Sequence, residues 1–277
     1  DLYSKSRNRG VGMKSLTRWF SRNLIRIYMV LGFTYLFIPV AYTFAFSFND
    51  YIKSNLVWRG FTLNNWKQPC GVLDVCPALG NSIKIGLLAT FIATVLGTLI
   101  AFALGRYAFR GRSVTNTLIF LPMASPELVL GASLLTIFLN LGMNLGFWTI
   151  VIAHVMFCIS FVVVTVKARI ASLDPRLEQA AMDLYADERE TFRRITFPLV
   201  APGIAGAALL AFSLSFDDFI ITNFNSGTTI TFPLYVYTHA ERGLPAQANV
   251  IGSAMFFLAL IIVVAGQLVS KKVKVGK

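Results

Sequence analysis

The sequence predicts an all-α integral membrane protein that crosses the bilayer six times. Hydrophobic residues make up 56% of its 277 positions and charged residues 14%, a balance too apolar for an ordinary soluble domain of this length. The apolar positions cluster into stretches of about 20 residues, the length that an α-helix needs to cross a hydrocarbon core roughly 30 Å thick. A transmembrane β-barrel would instead show alternating segments of about ten residues, and these stretches do not alternate.

Six apolar stretches are long enough to span the bilayer. They are Ile27–Phe48, Ile83–Gly105, Thr117–Leu139, Phe147–Val166, Gly203–Phe224 and Val250–Val269. We therefore expect a membrane domain over residues 27–270, preceded by a basic tail over 1–26 and followed by a basic tail over 271–277. The first tail is polar enough to be mobile or to lie along the membrane surface.

Positive charge is distributed unequally between the two sides of the predicted bundle. Twenty of the 25 Lys and Arg residues fall before the first span, in the connections after the second and fourth spans, and after the last span. The side rich in Lys and Arg is cytoplasmic, so both termini are expected in the cytosol. The net charge of +12 fits this bias and an attraction to anionic membrane lipid, and it gives no reason to invoke nucleic acid.

A charged, helix-forming segment over residues 173–200, called the polar segment below, separates the fourth span from the fifth. Asp174 is a suitable N-cap, and Pro175 follows at the first helical position, where its missing N–H costs nothing. A second polar helix should end at Pro198. A solvated connector would need no such pattern, so a docking element for another protein is the better interpretation.

Three acidic residues fall within the predicted spans, namely Glu127, Asp217 and Asp218. A carboxylate in the hydrocarbon region is costly, so each should face the bundle interior or a water-filled path. No Lys or Arg occupies the middle of a span, and a cationic substrate would supply the missing counter-charge. Glu127 follows Pro122 and Pro126, so a structural role beside freed backbone is its alternative. Of the Asp pair, at least one should face the path while the other caps or bonds a neighbouring helix.

The cysteines and histidines predict one possible crosslink and no metal site. Cys70 and Cys76 lie in the longest outer loop and either form a disulfide on the oxidising face or remain free thiols. Cys158, inside the fourth span, should be a small buried apolar residue. His154 and His239 share no ligand spacing with the cysteines.

The polar segment resembles the EAA loop of ATP-binding-cassette (ABC) importer permeases, in which a Glu-Ala-Ala stretch leads into a short coupling helix. The family usually has Gly where this sequence has Tyr185. Other stretches are similar to the inner-membrane permeases of spermidine/putrescine importers. These stretches are Asn81–Ile83, Leu121–Pro122, Leu145–Trp148, Phe161–Val166 and Ser213–Phe219.

This resemblance implies a type I ABC importer permease in a bacterial inner membrane. It implies a second homologous permease, a cytoplasmic ATPase dimer, an extracytoplasmic binding protein and a polyamine substrate. The residues that it assigns to ATPase coupling are Glu178, Ala180, Ala181, Asp183, Tyr185, Ala186, Asp187 and Glu188. The chain has no Walker A loop, so we expect no enzyme activity and no cofactor in it, with ATP and Mg²⁺ bound by the ATPase.

Other functions remain open at the level of sequence. The same architecture could import another small solute, such as an amino acid derivative, a phosphonate or an anion, although an anion would favour basic groups within the spans. A secondary transporter or channel would work without ATP. A membrane-embedded enzyme would need a clustered nucleophile and base or a set of metal ligands, and His154 and His239 lie far apart.

Overall fold

The computed structural model describes residues 2–51, 57–240 and 243–275, with side chains from residue 23 onward apart from 265 and 267–275. Among the described residues the regular structure is helical, with one isolated antiparallel bridge between Asn49 and Phe61. The chain divides into two compact units, residues 73–241 and the segments 1–72 and 242–277 that flank them.

Twelve α-helices and one π-helical turn are present in the described part of the chain. The α-helices are α1 (Leu2–Phe46), α2 (Asn64–Lys67), α3 (Val75–Arg106), α4 (Arg112–Ala124), α5 (Glu127–Asn140), α6 (Phe147–Ala171), α7 (Arg176–Asp183), α8 (Glu188–Thr191), α9 (Phe197–Asp217), α10 (Ile220–Asn225), α11 (Phe232–Ala240) and α12 (Ala246–Val275). The π-helical turn, Phe192–Thr196, joins α8 to α9.

The first unit contains α1, α2 and α12. Helix α1 includes the predicted first span and continues back to Leu2, so most of the stretch predicted as a tail is helical. Aromatic contacts join α1 to α12, with ring centroids 6.3 Å apart for Phe37 and Phe256 and 5.2 Å apart for Phe44 and Phe257. The remaining apolar side chains of α1 are largely exposed, as expected for a helix that faces lipid.

The second unit is built on the close packing of α3 against α6. Ala89, Ala93, Gly97 and Ala101 recur every four residues on α3, and all of them are buried. A Cβ atom added at Gly97 would lie 2.7 Å from Cγ1 of Val162 on α6, too close for any side chain. Small residues let membrane helices approach closely, and α9 completes the core of this unit.

The third predicted span is broken rather than straight. The expectation of one helix over Thr117–Leu139 is wrong, because α4 and α5 meet at an angle of 108°. The break lies at Ser125 and Pro126, both with extended ψ angles. A proline disfavours helical backbone in the residue before it, which accounts for the break at this point. Glu127 is therefore the first residue of α5.

The fifth predicted span is also interrupted. Helix α9 ends at Asp217, and Asp218 has an extended ψ of 127° before α10 begins at Ile220. The expectation of one helix over Gly203–Phe224 is wrong for its last turn. The two Asp side chains therefore do not lie on one continuous helix, because the helix ends between them.

Pro198 does not end a helix, contrary to the prediction from sequence. The chain stays helical from Glu188 to Asp217, with the π-helical turn immediately before Pro198. The N–H of Phe197 donates to the carbonyl of Phe192, five residues earlier. Pro198 therefore lies inside a continuous helical segment, directly after the π-helical turn and in the first turn of α9.

Five helices in the described residues are long and apolar enough to cross a membrane: Asn23–Phe46, Val75–Arg106, Phe147–Ala171, Glu188–Asp217 and Ala246–Val264. The bent pair α4 and α5 brings the number to six if it counts as one span. The prediction of an all-α protein with several membrane spans is confirmed.

Candidate functional site

Asp218 lies in a buried polar cluster between α6, α9 and α10. Its side chain accepts hydrogen bonds from the N–H groups of Ile221, at 3.3 Å, and Thr222, at 2.8 Å, and so caps the start of α10. His154 Nε2 lies 3.2 Å from Asp218 Oδ2, and His154 Nδ1 lies 2.7 Å from Ser215 Oγ. Because Asp218 is only 8% exposed and fully engaged, it holds helices together and has no open face for a substrate.

Asp217 and Glu127 differ from Asp218 in being exposed on the surface of the chain. Asp217 is the last residue of α9, and Glu127 is the first residue of α5. The structure therefore leaves two of the three predicted pathway carboxylates exposed at helix breaks and buries the third.

Glu178 of the polar segment faces the chain itself. Its two carboxylate oxygens accept hydrogen bonds from both terminal nitrogens of Arg106, at the end of α3, and one also accepts from Thr196 Oγ1, in the π-helical turn. The hydrogen bond from Arg106 is the main cause that holds the pKa of Glu178 below its usual value; desolvation by burial opposes it, and the bond from Thr196 supports it. This Glu178 cluster (Arg106, Glu178, Thr196) ties α7 to the end of α3 and to the π-helical turn before α9.

The turn after α7 has a left-handed residue at Tyr185, with φ of 64°. The N–H of Ala186 donates to the carbonyl of Ala181 at 3.1 Å, and that of Tyr185 to the carbonyl of Met182 at 3.0 Å. This pair of bonds is the common helix-ending motif that normally has Gly at the left-handed position. Tyr185 thus adopts the left-handed backbone conformation that Gly usually adopts at this position. For a residue with a Cβ atom this conformation costs about 1–2 kcal/mol. The Tyr185 side chain is 99% exposed.

The other residues assigned to coupling form the outer surface around this turn. Ala180, Asp183 and Glu188 are exposed, Ala181 and Ala186 are half-buried, and Asp187 caps α8 by accepting from the N–H of Glu190 at 2.6 Å. The large apolar side chains exposed on the same surface are Leu177, Met182, Leu184 and Tyr185. A cleft of about 380 Å³ opens beside them between α7 and α8. This surface is apolar and has no cover within the described chain.

The cysteines and histidines have separate structural environments. The disulfide expected between Cys70 and Cys76 stays a prediction. Cys158 is a free, buried cysteine of α6, as the sequence predicted. His154 belongs to the Asp218 cluster, and His239 Nδ1 lies 2.9 Å from the carbonyl of a residue one turn earlier. Within the described residues, no three His, Cys, Asp or Glu side chains are grouped as metal ligands.

Sequence reasoning missed the partners that fix these acidic residues. Arg106 counted only toward the charge bias, and His154 was considered only as a metal ligand or as a member of an enzyme site. A signal for His154 was available, because a polar residue inside a span usually pairs with another, and Asp218 is one of few candidates. No comparable signal marked Thr196, because its position beside Glu178 depends on how the polar segment folds back onto α9.

Comparison with known proteins gives a consistent result. Residues 93–274 match the family described as "Binding-protein-dependent transport system inner membrane component". The spermidine/putrescine transport system permease protein PotC of Haemophilus influenzae is 35% identical over 258 residues, which cover 93% of this chain and 99% of that protein. The putrescine transport system permease protein PotI of Escherichia coli K12 is 34% identical over 236 residues, or 82% of this chain and 83% of that protein.

A solved structure shares the fold. A bacterial alginate ABC transporter, in complex with an alginate pentasaccharide-bound periplasmic protein, aligns with a TM-score of 0.64 at 16% sequence identity. The alignment covers 89% of this chain and 94% of the matched chain. At this level of identity the likeness concerns the arrangement of helices.

Proposed function

Because the chain belongs to the family of binding-protein-dependent transport system inner membrane components, and is therefore a multi-pass inner-membrane transport protein, we propose that it is the polyamine-translocating permease subunit of an ABC importer. Relatives at 34–35% identity that align along most of their length are named as spermidine/putrescine and putrescine permeases. The observation that carries the proposal within this chain is the exposed carboxylate pair, Asp217 and Glu127.

The proposed topology has six crossings, with α4 and α5 together making one of them. Both termini and the polar segment lie in the cytosol, because that side carries most of the Lys and Arg residues. In this orientation, the cytoplasmic end of α3 and the polar segment are on the same side, in keeping with the bond between Arg106 and Glu178.

The proposed route for the substrate passes Asp217 and Glu127. A polyamine carries several positive charges, and its passage through a low-dielectric region requires negative charge along the way. Breaks in membrane helices provide such places, because freed backbone groups there can face a cavity. Both carboxylates lie at a break, one at the end of α9 and one at the start of α5.

The proposed partners are a second homologous permease, a cytoplasmic ATPase dimer that binds ATP and Mg²⁺, and an extracytoplasmic binding protein. The ATPase docks on the exposed apolar surface of the polar segment around Leu184 and Tyr185. Movement of that surface reaches α3 and α9 through the Glu178 cluster, which joins all three elements. Glu178 is thus a positioning residue in coupling, and the surface around Tyr185 makes the contact.

The experiment that tests this function is uptake of radiolabelled spermidine by the assembled importer in proteoliposomes. We expect uptake that requires ATP and the binding protein, with competition by putrescine and none by amino acids or phosphonates. Uptake that persists without ATP would indicate a secondary transporter or channel. Competition by an amino acid or a phosphonate in place of putrescine would assign another solute to the same architecture.

A further inference from the structure

A second cavity, separate from the carboxylate route, lies where the ends of α3 and α6 meet the start of α4 and of α7. Its volume is about 350 Å³, within the range of small-ligand pockets. Three basic side chains line it, Arg106, Arg112 and Lys167, together with the carboxylates of Asp174 and Glu178. Whether the cavity can bind an anion depends on which of these charges are already neutralised within the chain.

Two of the three cations have only neutral partners. Arg106 is neutralised by Glu178. Arg112 donates to the carbonyl oxygen of Leu104 at 2.8 Å, and Lys167 Nζ donates to Asn116 Oδ1 at 2.6 Å. Within the described residues, neither Arg112 nor Lys167 forms an ion pair. Asp174, the remaining carboxylate, is exposed, and its Oδ1 accepts from the N–H of the residue two positions later.

The neutral partners fix the two cations without cancelling their charge. Arg112 uses one terminal nitrogen on the Leu104 carbonyl, which leaves the rest of its planar set of donors for a ligand. Lys167 is half-buried and retains further ammonium hydrogens after its bond to Asn116. Guanidinium and ammonium groups held in this way suit phosphate, whose oxygens accept several charge-assisted hydrogen bonds.

We propose that this cavity binds a phosphate group through Arg112 and Lys167, and that the phosphate belongs to an anionic phospholipid of the cytoplasmic leaflet. The choice of lipid rests on the proposed orientation, which puts these helix ends at the cytoplasmic membrane surface. Basic pockets between membrane helices on that side bind anionic head groups. This cavity is separate from the surface proposed to contact the ATPase. Glu178, which faces the chain itself, lines the cavity, whereas Tyr185 lines the cleft on the outer surface.

The test is native mass spectrometry of the purified, assembled importer titrated with phosphatidylglycerol or with phosphatidylcholine. The variants are Lys167→Gln, Arg112→Gln with Lys167→Gln, and the conservative Lys167→Arg. Arg110→Gln is the matched control, since it removes the same charge from the same loop outside the cavity. We expect the double variant to bind phosphatidylglycerol roughly thirtyfold more weakly, at about 1 kcal/mol for each of the two basic residues lost. The control and Lys167→Arg should bind as the wild type does.

A second arm distinguishes lipid from free phosphate by measuring thermal stabilisation of the same complexes by inorganic phosphate. If inorganic phosphate stabilises the wild type but not the double variant, and both retain lipid equally, the cavity binds phosphate but its ligand is a soluble anion. Equal binding by the double variant and Arg110→Gln in both arms would overturn the proposal. The proposal would also be overturned if the double variant lost the ATPase while its binding of lipid and phosphate stayed intact. Lipid retention is measured without transport, so a failed spermidine assay would leave this result standing.

Discussion

At the scale of single residues, Asp217 and Asp218 show how neighbours in sequence acquire different roles. The α9 helix stops between them, so that Asp217 stays exposed while Asp218 turns into the protein and meets His154 and Thr222. A buried carboxylate without partners would be costly, and these contacts offset that cost. The two neighbouring residues therefore differ in exposure and in their contacts, and the transport role proposed above falls on Asp217.

Replacement of Asp218 with Ala should destabilise the protein. The change removes the cap of α10 and leaves His154 without one of its three polar contacts, which we expect to cost about 3–5 kcal/mol. Thermal unfolding of the purified complex measures this loss. Asp217→Asn is the matched control and should unfold at the wild-type temperature while its uptake falls. An Asp218→Ala variant as stable as the wild type would show that the buried cluster contributes little.

Substitutions at Tyr185 distinguish the effect of backbone strain from the effect of side-chain contact with the ATPase. Tyr185→Gly should relieve roughly 1 kcal/mol of strain in the left-handed turn, while Tyr185→Phe keeps the ring and the strain. If the exposed ring contacts the ATPase, the Gly variant should have a more stable turn by hydrogen exchange and yet bind the ATPase more weakly. The Phe variant should bind nearly as the wild type does. A Gly variant with unchanged ATPase affinity would remove the ring from the interface.

At the scale of elements, the Glu178 cluster joins the polar segment to α3 and to the turn before α9. Reversal of one charge, in Glu178→Arg or Arg106→Glu, should place two like charges together and uncouple ATP hydrolysis from uptake. The double swap of both residues should restore part of the coupling, because it restores the opposite charges. Coupling is measured as polyamine imported for each ATP hydrolysed. Two single variants that transport normally would show that the cluster transmits no movement.

The same cluster predicts a pH dependence with a definite sign. The pKa of Glu178 is lowered in the folded protein, so its ion pair contributes stability above the ordinary glutamate pKa of about 4.3 and loses it as the pH falls through the folded value. Protection of the α7 amides, measured as the exchange rate relative to the intrinsic rate at each pH, should therefore not change between about pH 6 and 8. This protection should fall only under more acidic conditions, and Glu178→Gln should remove that acid step.

The outer loop predicts a crosslink that can be tested directly. Cys70 and Cys76 lie close in sequence on the side proposed to be oxidising, where two cysteines can form a disulfide. Mass spectrometry of the unreduced peptide should find the two residues linked, and reducing agent should release two thiols with little effect on assembly. Cys158, which is buried, is the internal control that should resist alkylation in the folded protein. Two alkylatable thiols without reduction would contradict the disulfide.

The positions of the spans could be predicted from sequence, because burial in lipid needs about 20 apolar residues whatever the neighbours are. The bend at Pro126 was partly foreseeable, since proline breaks the ladder of hydrogen bonds. The break at Asp218 was not, because no proline or glycine marks it and its stability comes from His154, 64 positions earlier in the chain. The continuation of the helix through Pro198 likewise depends on a π-helical turn that local propensity does not predict.

At the scale of the whole molecule, charge is divided between two regions with opposite tasks. The ends of the spans that we propose to be cytoplasmic are basic, and basic groups at that surface favour this orientation and attract anionic lipid. The exposed groups at the helix breaks inside the membrane region are acidic, at Glu127 and Asp217. A permease for a polycation needs this separation, because basic groups along the route would repel the substrate that the carboxylates stabilise.

This separation predicts how the importer discriminates between polyamines of different charge. A carboxylate within a few ångströms of a substrate ammonium contributes about 2–4 kcal/mol at an effective dielectric constant of about 20. Glu127→Gln combined with Asp217→Asn removes both charges and keeps the shapes of the side chains. Uptake should fall roughly tenfold or more, and it should fall further for spermidine than for putrescine because spermidine carries more positive charge. Initial rates of uptake for the two labelled polyamines measure the difference.

The design of that experiment separates selectivity from assembly and from coupling. Basal ATPase activity should survive in the double variant, because neither residue touches the polar segment. Asp50→Asn, which removes a carboxylate outside the predicted spans, should leave both rates unchanged. The partner permease can add carboxylates of its own, so a residual rate is expected. Wild-type uptake of both polyamines by the double variant would mean that the route runs along the other subunit or that the substrate is not a polycation.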